Sequence, residues 1–561
     1  MPDKNIEIKK CLCWAEFSIT EKDMEFLDKI SPILGWVKYW IPSPTLCPDC
    51  RNQRRLAWRN RRNMYRRTCD ASGKNIISMF SPDKPYKVYH VKEFEGGKWD
   101  PKDYSRDFDF TRSFFEQYDE LLREVPLPHL AVIESTLENA DYVNGANAVK
   151  NAYLSNNIVG VEDVYYSEDI YGSKWIIDSL SLRDSEECYE CVNSIWIYKS
   201  SHLYECENCS ECTFSRFCKG CSNCIGCLNL INKKYHIFNK EYSKEEFEEL
   251  SSRLSKEDIE SWFAELAKNS PYKFAKIISS ENAVWDNIVN SRNVENSYDI
   301  YDSENIKNST FIVWNSKNCQ DITFWGQEIE LCYEWSAIWI NSTKVLFSAE
   351  TYDNIKDVFY CYFCYPNCSN LFGCVSMRNS SYCILNKQYS KEEYENMVPK
   401  IIEHMKSTWE WWEFFPTWVS PFWYNETVGM EYYPIDRDDK IFKWSIFENP
   451  KPDVTKIIPA SKLPKNISDI PDDILNWAIE CEVTGKPFRI IKKELDFYRK
   501  NGYRIPTKHP DERHKARVWL RNPRRLYDRE CDKCLCKIST TYSPEKKEKI
   551  YCEKCYEEAV T

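Results

Sequence analysis

The most regular feature of the chain is a three-residue period of small or apolar positions within residues 137–230. From Ala140 to Leu230, every third residue is Ala, Val, Ile, Leu, Ser or Cys, and none is charged. An α-helix repeats about every 3.6 residues and a strand every two, so neither element produces this pattern. A second regularity, at twelve residues, aligns Tyr153 with Tyr165. A short fixed period of this kind is typical of a solenoid.

The period predicts a narrow β-helix with coils of about twelve residues. Each coil turns four times and points one side chain inward on each side, so the inward side chains must be small. In coil geometry this resembles the twelve-residue coils of beetle antifreeze proteins, where inward Cys, Ser and Ala also recur. The outward Thr-x-Thr ladder of those proteins is absent here, so the resemblance does not imply ice binding. We call this predicted rod solenoid 1.

A second rod, solenoid 2, is predicted over residues 279–377, where the period is kept less strictly. Later positions recur every thirteen residues, as in Val345, Val358 and Leu371, which indicates one extra residue in each coil. Similar phrases, Tyr235–Phe247 and Tyr382–Tyr394, follow the two rods and precede helical patterns. We therefore expect helical caps at 231–278 and 378–408. The predicted fold class is mainly β: two narrow β-helical solenoid rods of about 12–13-residue coils with helical caps, flanked by zinc-ribbon modules.

The flanking regions complete the predicted domain organisation. We expect an N-terminal zinc-binding basic module at 1–100, a helical connector at 101–136 that docks on the first coil of solenoid 1, an aromatic segment and Pro-spaced linker at 409–473, and a C-terminal zinc-ribbon module at 474–561. Shifted by 462 positions, the two end modules align without gaps, so that Arg59-Asn60 meets Arg521-Asn522. The ends are therefore predicted to be copies of one module.

Each end module carries four cysteines with the spacing of a metal site. The C-terminal set consists of two C-x2-C pairs separated by seventeen residues, and the N-terminal set has C-x-C in place of one pair. Four thiolates suit tetrahedral Zn²⁺, and a closed four-cysteine site is structural by default because no coordination position stays open. We therefore predict two structural zinc ions. The predicted ligands are Cys531, Cys534, Cys552 and Cys555 at one site and Cys11, Cys13, Cys47 and Cys50 at the other.

The strongest functional signal is a run of eight arginines between Arg51 and Arg67, with no acidic residue among them. We expect these residues on a helix, where a basic face with interspersed aromatic side chains favours nucleic-acid binding. The C-terminal copy repeats the run in diluted form. The predicted nucleic-acid-binding residues are Arg51, Arg54, Arg55, Trp58, Arg59, Arg62, Arg66, Arg521, Arg524 and Arg525.

An alternative partner for these arginines lies within the chain. The outward positions of solenoid 1 are rich in carboxylates, so the basic modules could bind the rod instead of an external ligand. The positions are Glu162, Asp163, Glu168, Asp169, Glu186, Glu187, Glu190, Glu205, Glu207 and Glu211.

Composition narrows the class of protein. With 27 cysteines, a net charge of −11 and a charged start without an apolar core region, we expect no signal peptide, reduced thiols and a cytoplasmic location. No apolar run is long enough to cross a membrane, so a membrane partner is not expected. The seven histidines are scattered, and no phosphate loop is present, so we expect no enzyme. The enzymatic alternative, a β-helix polysaccharide lyase, requires wider coils with bulky cores.

The chain resembles Cys-rich zinc-ribbon repeat proteins that recur in genomes of the candidate phyla radiation of bacteria. The residues that carry the resemblance are Leu46–Arg51, Arg59-Asn60 and the phrase from Ile237 to Glu246. The family has no established activity, so the resemblance implies architecture and leaves function open.

Two functions follow as hypotheses. The first is a non-enzymatic zinc-binding scaffold that binds nucleic acid, RNA or ribonucleoprotein before DNA, through the arginine helix. The alternative is a protein-interaction scaffold whose acidic solenoid binds a basic partner, with the basic modules clamped internally. Exposure of the arginines would favour the first, and their burial on a rod would favour the second.

Overall fold

The structure is a computed structural model that describes residues 4–326, 329–339, 341–439, 441–447 and 456–560, with the backbone alone at 338 and 339. Pro450 and Pro452 of the predicted linker lie outside the described residues. The α-helices are α1 Glu21–Ile30, α2 Pro48–Leu56, α3 Val91–Glu95, α4 Phe114–Glu124, α5 Lys244–Ser251, α6 Lys256–Asn269, α7 Lys391–Ser407, α8 Val428–Tyr432, α9 Lys492–Asn501, α10 Pro510–Leu520 and α11 Glu553–Val560.

Solenoid 1 is a stack of parallel strands with a coil of twelve residues. The register pairs Asn156 with Glu168 and Glu162 with Lys174, and the same offset of twelve continues to the pair Ser222 and Lys234. The predicted inward positions are buried throughout, from Val143 to Cys227. The strands are Leu137–Glu138, Tyr142–Tyr165, Glu168–Tyr171, Lys174–Ile177, Leu180–Arg183, Glu186–Tyr189, Val192–Ile195, Tyr198–Ser201, Ser222–Ile225 and Lys234–Ile237.

The corners of the coil explain the sequence pattern. From Ala146 to Leu230, the residue that precedes each inward position has a positive φ, for example Asn151 at 54° and Asp163 at 56°. Asn, Asp and Gly tolerate this left-handed conformation best, which accounts for their recurrence. Inward serines connect the coils: the Ser179 hydroxyl donates to the Ile177 carbonyl at 3.0 Å and accepts from the Cys191 N–H at 3.2 Å. A small polar side chain therefore satisfies backbone groups inside the rod.

Solenoid 2 confirms the prediction of slightly longer coils. Its offset is twelve residues between Ile288 and Ile300 and thirteen between Val345 and Val358. Its parallel pairing extends to Ser381–Ile384, beyond the predicted end at 377. The strands are Ile277–Ile278, Glu281–Val289, Arg292–Tyr301, Glu304–Lys307, Thr310–Ile312, Lys317–Trp325, Cys332–Trp339, Ser342–Tyr352, Ile355–Phe359, Cys368–Phe372 and Ser381–Ile384.

Each solenoid ends in a short hairpin followed by helices. The strands Lys240–Glu241 and Lys387–Gln388 fold back on the last coils, and α5 and α7 then begin with matching capping boxes. In each box a serine hydroxyl accepts from the N3 amide and the N3 glutamate accepts from the serine amide, which stabilises the helix start. The repeated sequence phrase therefore produces the same structural ending twice.

The end modules are small sheets with helices. In the N-terminal module, residues 4–100, Asn5–Lys10 pairs with Glu16–Thr20, Ile33–Leu34 with Val37–Lys38, and Tyr65–Thr68 with Asn75–Ser78, all antiparallel. The described C-terminal module begins at residue 456, earlier than predicted, because Ile457–Pro459 pairs with Ala478–Glu480. The latter strand also pairs with Pro487–Phe488, and Tyr527–Glu530 pairs with Lys537–Thr540.

The connector helix α4 lies on a different rod from the one predicted. The Phe114 ring contacts Tyr360 and Phe372 of solenoid 2, with ring centroids 5.2 and 5.5 Å apart. The sequence order misled the prediction, because α4 precedes solenoid 1 but finds its apolar surface on solenoid 2. The aromatic segment after residue 409 covers the same region, where Phe415 stacks on Trp58 with centroids 4.4 Å apart.

Candidate metal centres and arginine clamps

The N-terminal cysteines converge into one tetra-cysteine group. The sulfurs of Cys11, Cys13, Cys47 and Cys50 lie within 4.8 Å of one another, and those of Cys13 and Cys47 are 3.6 Å apart. The hairpin after Asn5–Lys10 supplies the first two, and the start of α2 supplies the others. Hydrogen bonds from the Cys50 thiol and backbone N–H and from the Cys11 and Cys13 thiols outweigh burial and lower the pKa of Cys47 to about 5. A thiolate at this position could hold a metal ion.

The C-terminal cysteines form a second such group. The sulfurs of Cys531, Cys534, Cys552 and Cys555 also lie within 4.8 Å of one another, and Cys534 and Cys552 are 3.7 Å apart. Burial of the Cys531 thiol is outweighed by backbone N–H groups that donate to it, and its pKa falls to about 6. All 27 cysteines of the chain lie in its described part, and none forms a disulfide.

The two end modules repeat each other in hydrogen bonds as well as in sequence. The Val88 N–H donates to the Asp70 carboxylate at 2.7 Å, and the Ile550 N–H donates to the Asp532 carboxylate at 2.6 Å. The N–H of the residue that opens the second ligand pair donates to a sulfur in both copies, His90 to Cys69 and Cys552 to Cys531, each at 3.3 Å. The N-terminal copy thus keeps the backbone hydrogen bonds of this site, although Ser72 and Glu93 replace the ligands Cys534 and Cys555.

The arginines of α2 are buried against solenoid 2. Arg51 donates two hydrogen bonds to the Asp321 carboxylate, at 3.0 and 2.9 Å, and Arg55 lies 3.3 Å from the same group. Arg54 and Arg55 also pair with Glu334, at 3.2 and 3.1 Å. Burial alone would lower the pKa of Arg51, but the Asp321 and Glu334 carboxylates raise it. We call the arrangement of Arg51 and Arg55 on Asp321 the N-terminal arginine clamp.

The equivalent helix α10 makes the same arrangement on solenoid 1. Arg513 and Arg517, at the positions of Arg51 and Arg55, both donate to the Asp178 carboxylate, Arg517 at 3.0 Å. Asp178 and Asp321 are both fully buried and both occupy left-handed corners of a coil, with φ of 50° and 57°. Arg513 and Arg517 on Asp178 are the C-terminal arginine clamp.

The residues beyond the helices also bind the rods. Arg59 pairs with Glu350 of solenoid 2 at 3.1 Å, whereas Arg61 pairs with Glu168 of solenoid 1 at 2.8 Å. In the other copy, Arg524 pairs with Asp299 of solenoid 2 at 2.7 Å. Each end module therefore contacts both solenoids.

The structure corrects the prediction that the arginine run forms one exposed helix. The helix ends at Leu56, and Arg66 lies on the strand Tyr65–Thr68, so the run 51–67 is not one helix. Among the predicted nucleic-acid-binding residues, Arg51, Arg54, Arg55, Trp58, Arg59 and Arg524 are buried, Arg62 and Arg521 are half-buried, and Arg66 and Arg525 are exposed. The physical reason is that each buried guanidinium has a carboxylate partner on a rod. The Trp58 ring is buried against an aromatic partner, Phe415.

The outward carboxylates of solenoid 1 are largely used within the molecule as well. Glu168 and Asp169 pair with Arg61, and Glu187 pairs with Lys500 at 3.0 Å. Of the ten predicted acidic positions, only Glu186 and Glu211 are exposed. Contacts within the molecule therefore cover part of the acidic face of solenoid 1.

A crossed arrangement of the modules was not predicted. The strand Val88–Tyr89 of the N-terminal module pairs with Leu127–Pro128, which leads into solenoid 1, although α2 binds solenoid 2. The strand Lys549–Tyr551 pairs with Pro271–Lys273, which leads into solenoid 2, although α10 binds solenoid 1. Each module therefore bridges the beginning of one rod and the side of the other.

Sequence reasoning also missed three exposed tryptophans on the N-terminal module, Trp14, Trp36 and Trp40, which together we call the tryptophan surface. Trp14, Trp36 and Trp40 are 77, 101 and 61 % exposed. Trp409 is also exposed, and two residues later the Trp411 indole N–H donates to the Trp40 carbonyl at 3.3 Å. Lys10 and Lys38 lie 4.6 and 4.7 Å from the ring centroids of Trp14 and Trp40. The signal was present in Gly35-Trp36, because a glycine with φ of 61° places the next residue at the tip of a hairpin.

No protein-family model matches the chain, and no curated protein matches it. Among the described residues, no helix combines the length and apolar character needed to span a membrane.

Proposed function

We propose that the protein is a non-enzymatic zinc-binding scaffold that acts through contacts with a protein partner, with its basic end modules clamped internally. The observation that carries the proposal is the burial of both arginine clamps on Asp321 and Asp178. Guanidinium groups already paired with buried carboxylates are not available for phosphate groups. In this proposal the arginines fix the relative position of the two solenoids.

Zinc is the proposed metal at both tetra-cysteine groups, because four thiolates in tetrahedral arrangement suit this ion. Both groups lie within the end modules. A closed site of this kind contributes folding free energy to a small module.

The partner is proposed to bind the exposed tryptophans Trp14, Trp36 and Trp40. Tryptophan is enriched at the centres of protein interfaces, and these three side chains are more than half exposed. The acidic face of solenoid 1 is a weaker candidate, since most of its carboxylates have internal partners.

A second candidate function rests on the same surface. Exposed tryptophans beside Lys10 and Lys38 are also the combination with which proteins bind single-stranded nucleic acid, through stacking and backbone charge. Nucleic-acid binding is therefore kept as an alternative, relocated from the arginine clamps to the tryptophan surface.

The two candidates are separated by RNA and DNA binding over a salt series, measured by fluorescence anisotropy on the metal-loaded chain. The variant Trp36→Ser/Trp40→Ser tests the tryptophan surface, Arg66→Ala/Arg525→Ala tests the exposed arginines, and Trp519→Ser, an exposed tryptophan of the other module, is the control. Under the scaffold proposal we expect no binding that falls steeply with salt.

Each other outcome has a clear meaning. Steep binding that is lost only in Trp36→Ser/Trp40→Ser would favour the nucleic-acid alternative. Steep binding that is lost only in Arg66→Ala/Arg525→Ala would overturn the scaffold proposal in favour of the remaining exposed arginines.

A further inference from the structure

A third group of potential metal ligands lies between solenoid 1, α8 and α10. Glu168, Glu431 and His514 each bring one ligand atom within 4.8 Å of the others. His514 Nε2 is 3.3 Å from a Glu431 oxygen and 3.7 Å from a Glu168 oxygen. Ligand atoms about 2.0–2.2 Å from a tetrahedral ion are separated by roughly 3.3–3.6 Å, so these spacings fit one bound cation.

Several polar atoms of this group are buried without a hydrogen-bond partner. His514 and Glu168 are 3 and 1 % exposed, yet neither ring nitrogen of His514 and only one oxygen of Glu168 is hydrogen-bonded. One oxygen of Glu431 is also buried without a partner. Unpaired polar atoms at such depth are costly, and a single cation would satisfy all three side chains at once.

The surroundings of His514 disfavour protonation of its imidazole. Burial lowers the pKa of His514 well below its ordinary value, and the Arg62 guanidinium lowers it further, against the opposing effect of Glu168. A neutral imidazole offers a free lone pair, whereas a protonated one does not.

The surrounding charges leave room for a divalent cation. Glu168, Asp169, Glu431 and Asp511 contribute four negative charges, and Arg61 and Arg62 contribute two positive ones. Arg517, which also faces His514, shares Asp178 with Arg513, and Arg524, which faces Glu431, is paired with Asp299. The carboxylates nearest to the group outnumber the guanidinium groups paired with them, which favours a bound cation.

We propose that Glu168, Glu431 and His514 form a third metal site, of nitrogen–oxygen type, for a divalent transition ion such as Zn²⁺. An imidazole and two carboxylates are ligands that such ions accept, unlike the all-sulfur sets of the end modules. Glu431, with 24 % of its side chain exposed, gives the ion a route from solvent. The bound ion would join solenoid 1, α8 and α10.

The N-terminal copy supplies a matched variant. Asn52 occupies the position of His514, donates to the Tyr433 hydroxyl at 3.0 Å and accepts from Thr323 at 3.1 Å. The substitution His514→Asn therefore places on α10 the residue that its copy already carries. Glu431→Gln is a second, nearly isosteric variant, and Lys515→Ala, at an exposed neighbour on α10, is the control.

The test is the number of metal ions per chain, measured by elemental mass spectrometry on the full-length protein purified with Zn²⁺. We expect three ions in the wild type and in Lys515→Ala, and two in His514→Asn and in Glu431→Gln. Two ions in the wild type, or three in all variants, would overturn the proposal. If His514→Asn does not fold, the wild-type count and Glu431→Gln decide the question.

Substitution with Co²⁺ separates this site from the tetra-cysteine groups. Thiolate ligands give cobalt strong charge-transfer absorption, whereas nitrogen and oxygen ligands do not. We expect the charge-transfer bands to saturate at two equivalents of Co²⁺ and a third equivalent to bind without adding to them. Loss of the bands themselves would contradict the tetra-cysteine sites and leave the third site to be judged by its own count.

Discussion

The two end modules are copies in sequence, yet their four cysteines lie at different positions. In the N-terminal module the cysteines precede the arginine pair, whereas in the C-terminal module they follow it. Both have the pair of arginines four residues apart on a helix, bound to one buried aspartate. The metal group and the arginine clamp are therefore independent: the first belongs to the module itself, and the second fixes the module to a rod.

The copies also differ in how much support each clamp has. Asp321 shares its arginines with Glu334, which pairs with Arg54 and Arg55. Asp178 is the nearest carboxylate to both of its arginines, and Glu494 lies farther off, 3.6 Å from Arg513. The N-terminal clamp therefore has a second close carboxylate, whereas the C-terminal clamp depends mainly on Asp178. Loss of the central aspartate should lower the free energy of unfolding by different amounts in the two clamps.

The largest expected effect comes from removing the metal of one module at a time. Cys11→Ser and Cys531→Ser should each lose one ion and unfold only their own module, because a structural metal contributes on the order of 10 kcal/mol to folding a small domain. Hydrogen exchange should show loss of protection in Asn5–Lys10 for Cys11→Ser and in Tyr527–Glu530 for Cys531→Ser, with the solenoid strands still protected. Loss of protection in both modules from either substitution would show that the two modules do not fold independently of each other.

The next largest effect separates the two clamps. Asp178→Asn leaves two buried arginines without a full partner, and we expect a loss of about 3–5 kcal/mol in the free energy of unfolding. Asp321→Asn should cost less, since Glu334 still pairs with Arg55. Urea unfolding measures both. Asp496→Asn, which breaks an exposed ion pair with Lys492, is the control and should change stability by less than about 1 kcal/mol. Equal losses for the two clamp variants would show that Glu334 gives no support.

The smallest expected effect is a pH dependence of stability at the strand that joins the N-terminal module to solenoid 1. After the strand Leu127–Pro128, His129 accepts a hydrogen bond at Nδ1 from the Val91 N–H, 3.1 Å away, and the equivalent residue beside the C-terminal module is Phe274. Burial lowers the pKa of His129 to about 3. The unfolded chain therefore binds a proton that the folded chain does not, so this stability is complete above about pH 6.5 and is lost as the pH falls toward 3.

Between pH 7.5 and 5.5 the loss should be about 1 kcal/mol in the N-terminal module. His129→Phe gives this module the residue of its copy and should remove that part of the pH dependence, measured by urea unfolding at the two pH values. An unchanged pH dependence in His129→Phe would place the acid-sensitive group elsewhere.

The solenoids could be predicted because their rule is local. A coil of four three-residue sides admits one small inward side chain per side, and this steric requirement is visible at Ala146, Ser179 or Cys212 without knowledge of the rest of the molecule. The thirteen-residue coils of solenoid 2 followed from Val345 and Val358 for the same reason. The cysteine groups were predictable because the two ligands of each pair lie within a few residues of each other.

The positions of α4 and of the arginines could not be predicted in the same way. Phe114 needs an apolar surface and Arg55 needs a carboxylate, and both rods offer them. A guanidinium group binds phosphate and carboxylate with the same geometry, so the sequence alone could not decide between a nucleic acid and Asp321.

The sequence by itself therefore determined the coil, the tetra-cysteine groups and the duplication, since each depends on side chains that are close in the chain or on direct alignment. The tertiary structure alone decided which rod each module binds, how the modules cross, and that Glu168, Glu431 and His514 meet. These arrangements depend on contacts between surfaces hundreds of residues apart, where several pairings satisfy the same local chemistry and only the packing of the whole molecule selects one.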